Sequence, residues 1–206
     1  MHTVELSSPR VRLDQPRPVD APRVFDLCQD PLFERYLAVL PWPYQLTDAT
    51  AFVSGFVPEA WAAGTGCTWA LRAGAEAGLG PGLQQELLGV ISLALPAPER
   101  TGARTGSIGF WLGAPYRGRG LIGEAQRLVL DWAFTTDLVD TVRWECVAGN
   151  LGSARAARVA GFRYTGQAPS GTAHRDGSHP LKWHALLHTE DAREAQPGWP
   201  AEVMSR

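Results

Sequence analysis

A chain of 206 residues, 45% of them hydrophobic, is long enough to bury one sizeable core and suits a single domain. A net charge of -2 and only 19% charged residues argue against a general nucleic-acid binder or a membrane-surface protein. Cys28, Cys67 and Cys146 are isolated and odd in number, so neither a disulfide framework nor a zinc ribbon is expected.

In chain order, Val4 to Leu13 reads as a first strand. Val19 to Asp30 carries Val24, Leu27 and Cys28 at helical spacing, and Phe33 to Leu40 continues helical until Pro41-Trp42-Pro43 breaks the pattern. Asp48 to Trp61 is amphipathic, with Thr47 as its expected N-cap. Thr68 to Leu71 is a short strand, Gly74 to Gln85 a Gly/Ala-rich loop, Leu87 to Leu95 an apolar strand and Pro96 to Gly102 a turn. Ser107 to Leu112 is the next strand, Glu124 to Phe134 a helix, and Thr141 to Val147 a strand. Asn150 opens a helix that ends at Gly161, the punctuation expected of an N-cap and a C-terminal glycine. Phe162 to Thr165 and Leu181 to Leu187 are the last strands, separated by a polar loop from Ala168 to Gly177. The expected architecture is one mixed α/β sheet with helices on both faces. Residues 1–190 are expected to form one domain and 191–206, with Pro197 and Pro200, a flexible tail. No apolar stretch approaches the roughly 18 residues of a membrane span, and the N-terminus lacks a signal-peptide run, so a cytoplasmic location is expected.

The stretch Tyr116-Arg117-Gly118-Arg119-Gly120-Leu121-Ile122-Gly123 carries the most chemistry. A glycine-rich turn between a strand and a helix gathers backbone N–H groups at the positive end of the helix dipole, which suits a phosphate or pyrophosphate. Arg117 and Arg119 add formal charge. Gly118, Gly120 and Gly123 satisfy the G-x-G-x-x-G dinucleotide pattern, with Glu145 at the end of the next strand as the ribose carboxylate. Against that reading, Ala114 to Arg117 separate the strand from the first glycine, too few residues follow Glu145, and a meander precedes the motif.

The block Arg117-Gly118-Arg119-Gly120-Leu121-Ile122 resembles the pyrophosphate loop of the GNAT superfamily of N-acetyltransferases. Ile122, where the superfamily prefers Gly or Ala, is similar to the RimJ/RimL branch, the ribosomal-protein N-terminal acetyltransferases. A second block agrees: Asn150-Leu151-Gly152-Ser153, then Gly161-Phe162. The resemblance implies an α/β GNAT fold with a mixed, mostly antiparallel, splayed β-sheet flanked by helices. It implies acetyl-CoA as co-substrate and a primary amine as acceptor, a protein N-terminal α-amine or else a small-molecule amine such as an aminoglycoside. A non-catalytic acyl-CoA-binding module is the remaining alternative, and a homodimer is left open.

By the same resemblance, Phe110, Trp111 and Leu112 would offer backbone to the cofactor's pantetheine arm, and Arg117, Gly118, Arg119, Gly120, Leu121, Ile122 and Gly123 would hold its pyrophosphate. Asn150 and Ser153 would lie on the cofactor side, with Ser153 near the thioester sulfur. Strand alternation puts Arg143, Glu145 and Val147 on one face. Glu145, five before the asparagine, would be the base, or else an ion-pair partner of Arg143 or a neighbouring strand. The tyrosine some relatives use as acid is absent, and Ala157 stands there. Trp42 is the candidate for the substrate groove. His174, His179, His184 and His188 cluster in sequence, but no metal is expected without a thiolate or carboxylate to complete a site.

Overall fold

The computed structural model describes residues 1–37, 40–80, 82–96 and 103–205. The predicted first strand is a hairpin of β1 (Leu6–Ser7) and β2 (Val11–Asp14), closed by a bond from Ser8 N to Val11 O. Helices α1 (Ala21–Leu27) and α2 (Pro31–Tyr36) follow, both short. Asp30 caps α2 by accepting from Leu32 N at 2.9 Å. The predicted 48–61 helix is α3 (Leu46–Ala51), a π-turn (Phe52–Phe56) and α4 (Val57–Ala63). Its start is Gln45, not Thr47: the Gln45 N–H donates to the Asp48 carboxylate at 2.8 Å. Pro58 explains the π-turn, because it has no N–H for Ser54 and its ring would meet that carbonyl in a regular helix.

Strands β3 (Gly66–Ala73), β4 (Gly89–Ala94) and β5 (Thr105–Leu112) form a meander, β3 being longer than its sequence pattern indicated. Most of the predicted turn from Pro96 to Gly102 lies outside the described residues. Helix α5 (Leu121–Thr135) leads to β6 (Thr141–Val147), then α6 (Leu151–Val159), β7 (Arg163–Pro169) and β8 (Leu181–His188). The eight strands form one sheet in the order β1-β2-β3-β4-β5-β6-β8-β7. Only β5 and β6 pair in parallel. A doubly wound dinucleotide fold needs a largely parallel sheet, so the dinucleotide reading of the glycine turn falls.

The parallel pair is also where the sheet opens. Its register runs from Thr105 opposite Thr141 to Ile108 opposite Trp144 and stops there. On their outer sides β5 stays paired to β4 as far as Leu112, and β6 to β8 as far as Val147. Gly109–Leu112 and Glu145–Val147 therefore diverge, leaving a wedge in the sheet.

Apolar packing holds both walls of the wedge. Leu121, Ala125, Val129, Leu130 and Ala133 form the buried stripe of α5, repeating at helical spacing. On the other side Val24, Phe33, Ala49 and Val53 pack with Leu87 and Val90. The segment expected to be a loose tail packs instead. Trp199 is 5% exposed, its indole donates to Phe162 O at 3.1 Å, and its ring lies 5.4 Å from that of Trp144. Helix α7 (Ala201–Met204) buries Val203 against the same core. The chain passes so close to Gly161 that a Cβ there would sit 2.7 Å from Ala192 O. Two large apolar residues outweigh the prolines around them.

Candidate active site

The wedge continues into a groove of about 770 Å³. Its walls come from α2, the open end of β5, the glycine turn with the start of α5, and α6. At one end Gly118 and Gly120 have φ of +74° and +77°, the left-handed conformation that favours glycine. A Cβ on Gly118 or Gly123 would meet nothing within 4 Å, so this turn faces open space. Gly120 is the N-cap of α5, and the first bond within that helix runs from Glu124 N to Gly120 O. The N–H groups of the preceding turn thus point out of the helix end, where the dipole is positive.

Along the wedge, Gly113 N donates to Leu88 O at 2.9 Å. Strand alternation then turns the Trp111 backbone toward β4, and those of Phe110 and Leu112 toward the opening. This corrects the expected role of Trp111: its backbone is used within the sheet, and only its side chain lines the groove, edge-on to Phe33 at 5.5 Å. Leu112 O, on the open side, accepts from Arg117 Nε at 2.8 Å.

Arg117 is a strut. Its guanidinium also pairs with Asp30 at 2.7 Å and lies over the Phe33 ring. Its charge is thus largely matched within the scaffold, tying the glycine turn to the cap of α2. Arg119 is exposed and does not line the groove, although its carbonyl accepts from Arg10 Nη2 at 2.7 Å. Two lining cations have no ion-pair partner among the described residues: Arg155, which donates to Glu202 O at 3.1 Å and Ser205 O at 2.9 Å, and Arg127. Sequence reasoning missed the latter, though the signal was present: Gly123 and Arg127 are four apart and share a helix face.

Helix α6 closes the other wall. Asn150 Oδ1 accepts from Ser153 N at 3.3 Å, so Asn150 is the N-cap. Ser153 Oγ accepts from the Trp144 indole at 3.2 Å, which leaves its own hydrogen free to donate. Both residues line the groove, as do 110–112, 117, 118 and 120–123.

Glu145 and Trp42 stand elsewhere. Glu145 is the first β6 residue past the split, on the face opposite Trp144, and is not part of the groove lining. Its carboxylate lies 2.6 Å from Lys182 Nζ and 3.7 Å from His184 Nδ1. Burial pushes its pKa up, but the Lys182 hydrogen bond and charge, with Arg143 and His184, hold it below its ordinary value of 4.5. Cys146 faces the other way, half-buried, and burial pushes its thiol up to about 12. Trp42 is half-buried in the α2–α3 connection and does not reach the groove.

The places expected of Trp42 are taken by Tyr36 and Leu37. The Tyr36 hydroxyl reaches across to donate to Gly149 O at 3.4 Å, just before the α6 cap. Beyond it Arg175, in the β7–β8 connection, donates to Glu34 O and Leu37 O at 2.8 Å and to Leu40 O. This strap satisfies carbonyls at the C-terminal end of α2. Sequence carried no signal for it, because 140 or so residues separate the partners. Among the described residues no group of His, Cys, Asp and Glu is arranged to hold a metal ion.

A family model described as an acetyltransferase (GNAT) domain matches residues 10–163, about three-quarters of the chain. No curated protein matches the chain in sequence. Among solved structures, RimJ of Mycobacterium smegmatis in complex with a CoA disulfide is 18% identical, with a TM-score of 0.73 over 91% of this chain and 87% of that one. A Salmonella typhimurium acetyltransferase that modifies the N-terminal serine of ribosomal protein L7/L12 is 16% identical, with a TM-score of 0.72 over 88% and 96%. The microcin C7 self-immunity acetyltransferase MccE, in complex with acetyl-CoA and AMP, is also 16% identical, with a TM-score of 0.72 over 88% and 93%. At these identities the likeness is one of fold.

Proposed function

This chain belongs to the GNAT acetyltransferase family, and from that premise we propose that it is a RimJ/RimL-type enzyme, transferring acetyl from acetyl-CoA to a protein N-terminal α-amine. The observation that carries the reading is the split between β5 and β6, which leads from an unpaired strand edge to an open glycine turn at a helix N-terminus. Those features fit a long ligand with a pyrophosphate at one end and amides along its arm.

Bound there, acetyl-CoA would supply an acyl thioester, an activated acyl group with a thiol leaving group. The N–H groups from Gly118 to Gly123 would hold the pyrophosphate, and Arg127 would add the unmatched charge. The open backbone of Phe110 and Leu112 would pair with the arm and stabilise the oxyanion formed when the amine attacks. Asn150 and Ser153 would line the sulfur end, with the Ser153 hydroxyl donating a hydrogen bond there. Glu145, kept charged by Lys182, would take the amine proton through water.

The chemistry of Glu145 bears on the acceptor. A carboxylate held below its ordinary range is a weak base. An α-amine, with pKa near 8, is roughly a tenth neutral at pH 7, while a lysine amine near 10.4 is neutral less than about a thousandth of the time. A weak base suits the first. The names of the RimJ and L7/L12-modifying relatives point the same way. The test compares two peptides, one with a free small N-terminal residue and one with that end blocked and a lysine free. The first should be acetylated faster. Equal rates, or turnover only on an aminoglycoside, would move the acceptor while leaving the family intact, and binding without turnover on any amine would indicate a non-catalytic module.

A further inference from the structure

The β1–β2 hairpin reaches across to the glycine turn. Its own backbone is anchored, because Gly74 N and Glu76 N donate to the carbonyls of Arg10 and Pro9 at 2.9 and 2.8 Å. From that fixed point Arg10 Nη2 donates to Arg119 O at 2.7 Å, and Nη1 lies 3.4 Å from the Glu124 carboxylate. The Ser8 hydroxyl donates to the same carboxylate. Arg10 lines the groove, although 109 positions separate it from Arg119 in sequence. We propose that Arg10 is a positioning residue for the pyrophosphate end of the groove: it holds the Arg119–Gly120 peptide so that the Gly120 N–H faces the anion, and it offsets the Glu124 charge beside that anion. The assignment rests on the cofactor reading above.

Peptide geometry carries the first part. The C=O and N–H of a trans peptide point in opposite directions. Arg119 does not line the groove and Gly120 does, so a carbonyl held by Arg10 on the Arg119 side turns the Gly120 N–H toward the groove. The N–H side supplies no anchor of its own: from Gly118 to Gly123 no backbone N–H donates to a protein group among the described residues. Gly120 has φ of +77°, but glycine accepts either sign, so an unheld plane is free to turn over. The turned-over peptide would present Arg119 O, a partial negative charge, to the pyrophosphate.

Electrostatics carries the second part. Glu124 sits in the first turn of α5, where a carboxylate stabilises an empty helix N-terminus and repels a bound anion. Its carboxylate is outside the groove lining and only 15% exposed, so water screens it poorly. Arg10 stands between it and the turn: Nη1 is 3.8 Å from where a Cβ on Gly120 would lie. Ser8 can bond the carboxylate but cannot neutralise it. Without Arg10 the turn therefore meets both a loosened peptide and an unmatched negative charge.

The test uses CoA and two of its fragments, inorganic pyrophosphate and pantetheine, with no acceptor present. CoA is titrated by calorimetry and the weaker fragments by NMR. The Arg10 guanidinium is 40% exposed, so Arg10→Gln should fold, which urea denaturation checks. Its dissociation constant for CoA should rise roughly 10- to 100-fold, the size expected for bonds to charged groups. Pyrophosphate binding should weaken in parallel, and pantetheine binding should not change. Adding Glu124→Gln to Arg10→Gln should recover CoA affinity several-fold, because the repelling charge is gone. An Arg10→Gln protein that is less stable in urea yet binds CoA like wild type overturns the proposal, since Arg10 would then only brace the hairpin. Equal losses for CoA and pantetheine also overturn it, and a double variant no better than the single one overturns the charge offset. A wild type that binds pyrophosphate in an Arg10-dependent way but does not bind CoA supports Arg10 and overturns the cofactor reading instead. Binding of neither overturns both.

Discussion

The two ends of the groove are built from different materials. At the glycine turn the groove is edged by backbone N–H groups of one contiguous stretch, 117–123, and Arg127, a lining cation without an ion-pair partner among the described residues, lies one helical turn beyond it. At the opposite end the lining comes from side chains of distant segments, Tyr36 from α2 and Ser153 from α6, with the Glu145–Lys182 pair of adjacent strands outside the lining and the Arg175 strap closing over α2. Backbone groups serve any sequence that keeps the turn, and they suit a ligand portion that never varies. Side-chain groups can be exchanged one at a time, which suits chemistry and acceptor choice. The Arg117–Asp30 pair joins the two ends through α2.

The sharpest way to break this comparison is at the backbone end. Gly120→Asp puts a carboxylate at the helix N-terminus, and aspartate tolerates the left-handed conformation there better than most residues. Folding should survive, but a like charge against a pyrophosphate costs several kcal/mol. Wild type should gain roughly 2.7 kcal/mol of stability at about 100 times the acetyl-CoA dissociation constant, seen as a raised Tm. The variant should show no rise, and NAD should raise neither. A preserved shift would place the cofactor elsewhere.

Trp199→Ala probes the floor under the side-chain end. Trp199 supports Trp144, whose indole in turn bonds Ser153. Removing a buried tryptophan typically costs about 3–5 kcal/mol. Urea denaturation should therefore register a large loss, whereas a residue in a loose tail would change stability by no more than about 0.5 kcal/mol.

That contrast also explains what the sequence made legible. The glycine turn, the Asn150 cap, β6 and α6 were readable because each is specified by neighbours within a few residues. So was the fold, because the order of elements and two spaced blocks resemble one family. The docking of residues 191–206 was hidden because prolines mark the local chain as irregular, while the burial of Trp199 depends on β6 and β7. Tyr36 and Arg175 were hidden for the same reason: their importance arises only when topology brings α2 beside α6 and the β7–β8 connection. Thr47 failed as a cap for a local reason, since the chain entered the helix earlier and used Asp48 to satisfy Gln45 N.

A middle-sized effect is expected at the Glu145–Lys182 pair. Glu145→Gln should lower turnover about 100-fold at neutral pH, with the deficit shrinking at high pH where the amine is already neutral. Lys182→Gln separates charge from chemistry. The Glu145 pKa is held below its ordinary 4.5, since burial raises it less than Lys182 and its neighbours lower it. The stability this pair contributes is thus fully present above that value and fades as pH falls through the lower native one. The pair is partly exposed, so wild type and Lys182→Gln should differ by less than about 1 kcal/mol at pH 7 and converge on acidification. If Glu145 is the base, the acid limb of the rate profile should also move to higher pH in Lys182→Gln. An unmoved limb would show that another group takes the proton.

The smallest effect, and the most specific, is expected at the strap. Arg175 donates to carbonyls of Glu34, Leu37 and Leu40, groups that water can satisfy in its absence because all three bonds are exposed. Arg175→Ala should therefore cost little in global stability. It should instead loosen the C-terminal end of α2, where Tyr36 and Leu37 line the groove. The N-terminal end of that helix remains fixed by Asp30, both to Leu32 N and to Arg117. If the two ends of the groove work independently, acetyl-CoA binding should be unchanged while the acceptor KM rises several-fold. If α2 transmits the disturbance as a rigid body, the acetyl-CoA dissociation constant should rise in parallel, and Asp30→Asn should reproduce the same pair of changes from the other end. Calorimetry of acetyl-CoA binding, set beside steady-state kinetics on one peptide, decides between a groove with two separate ends and one whose ends move together.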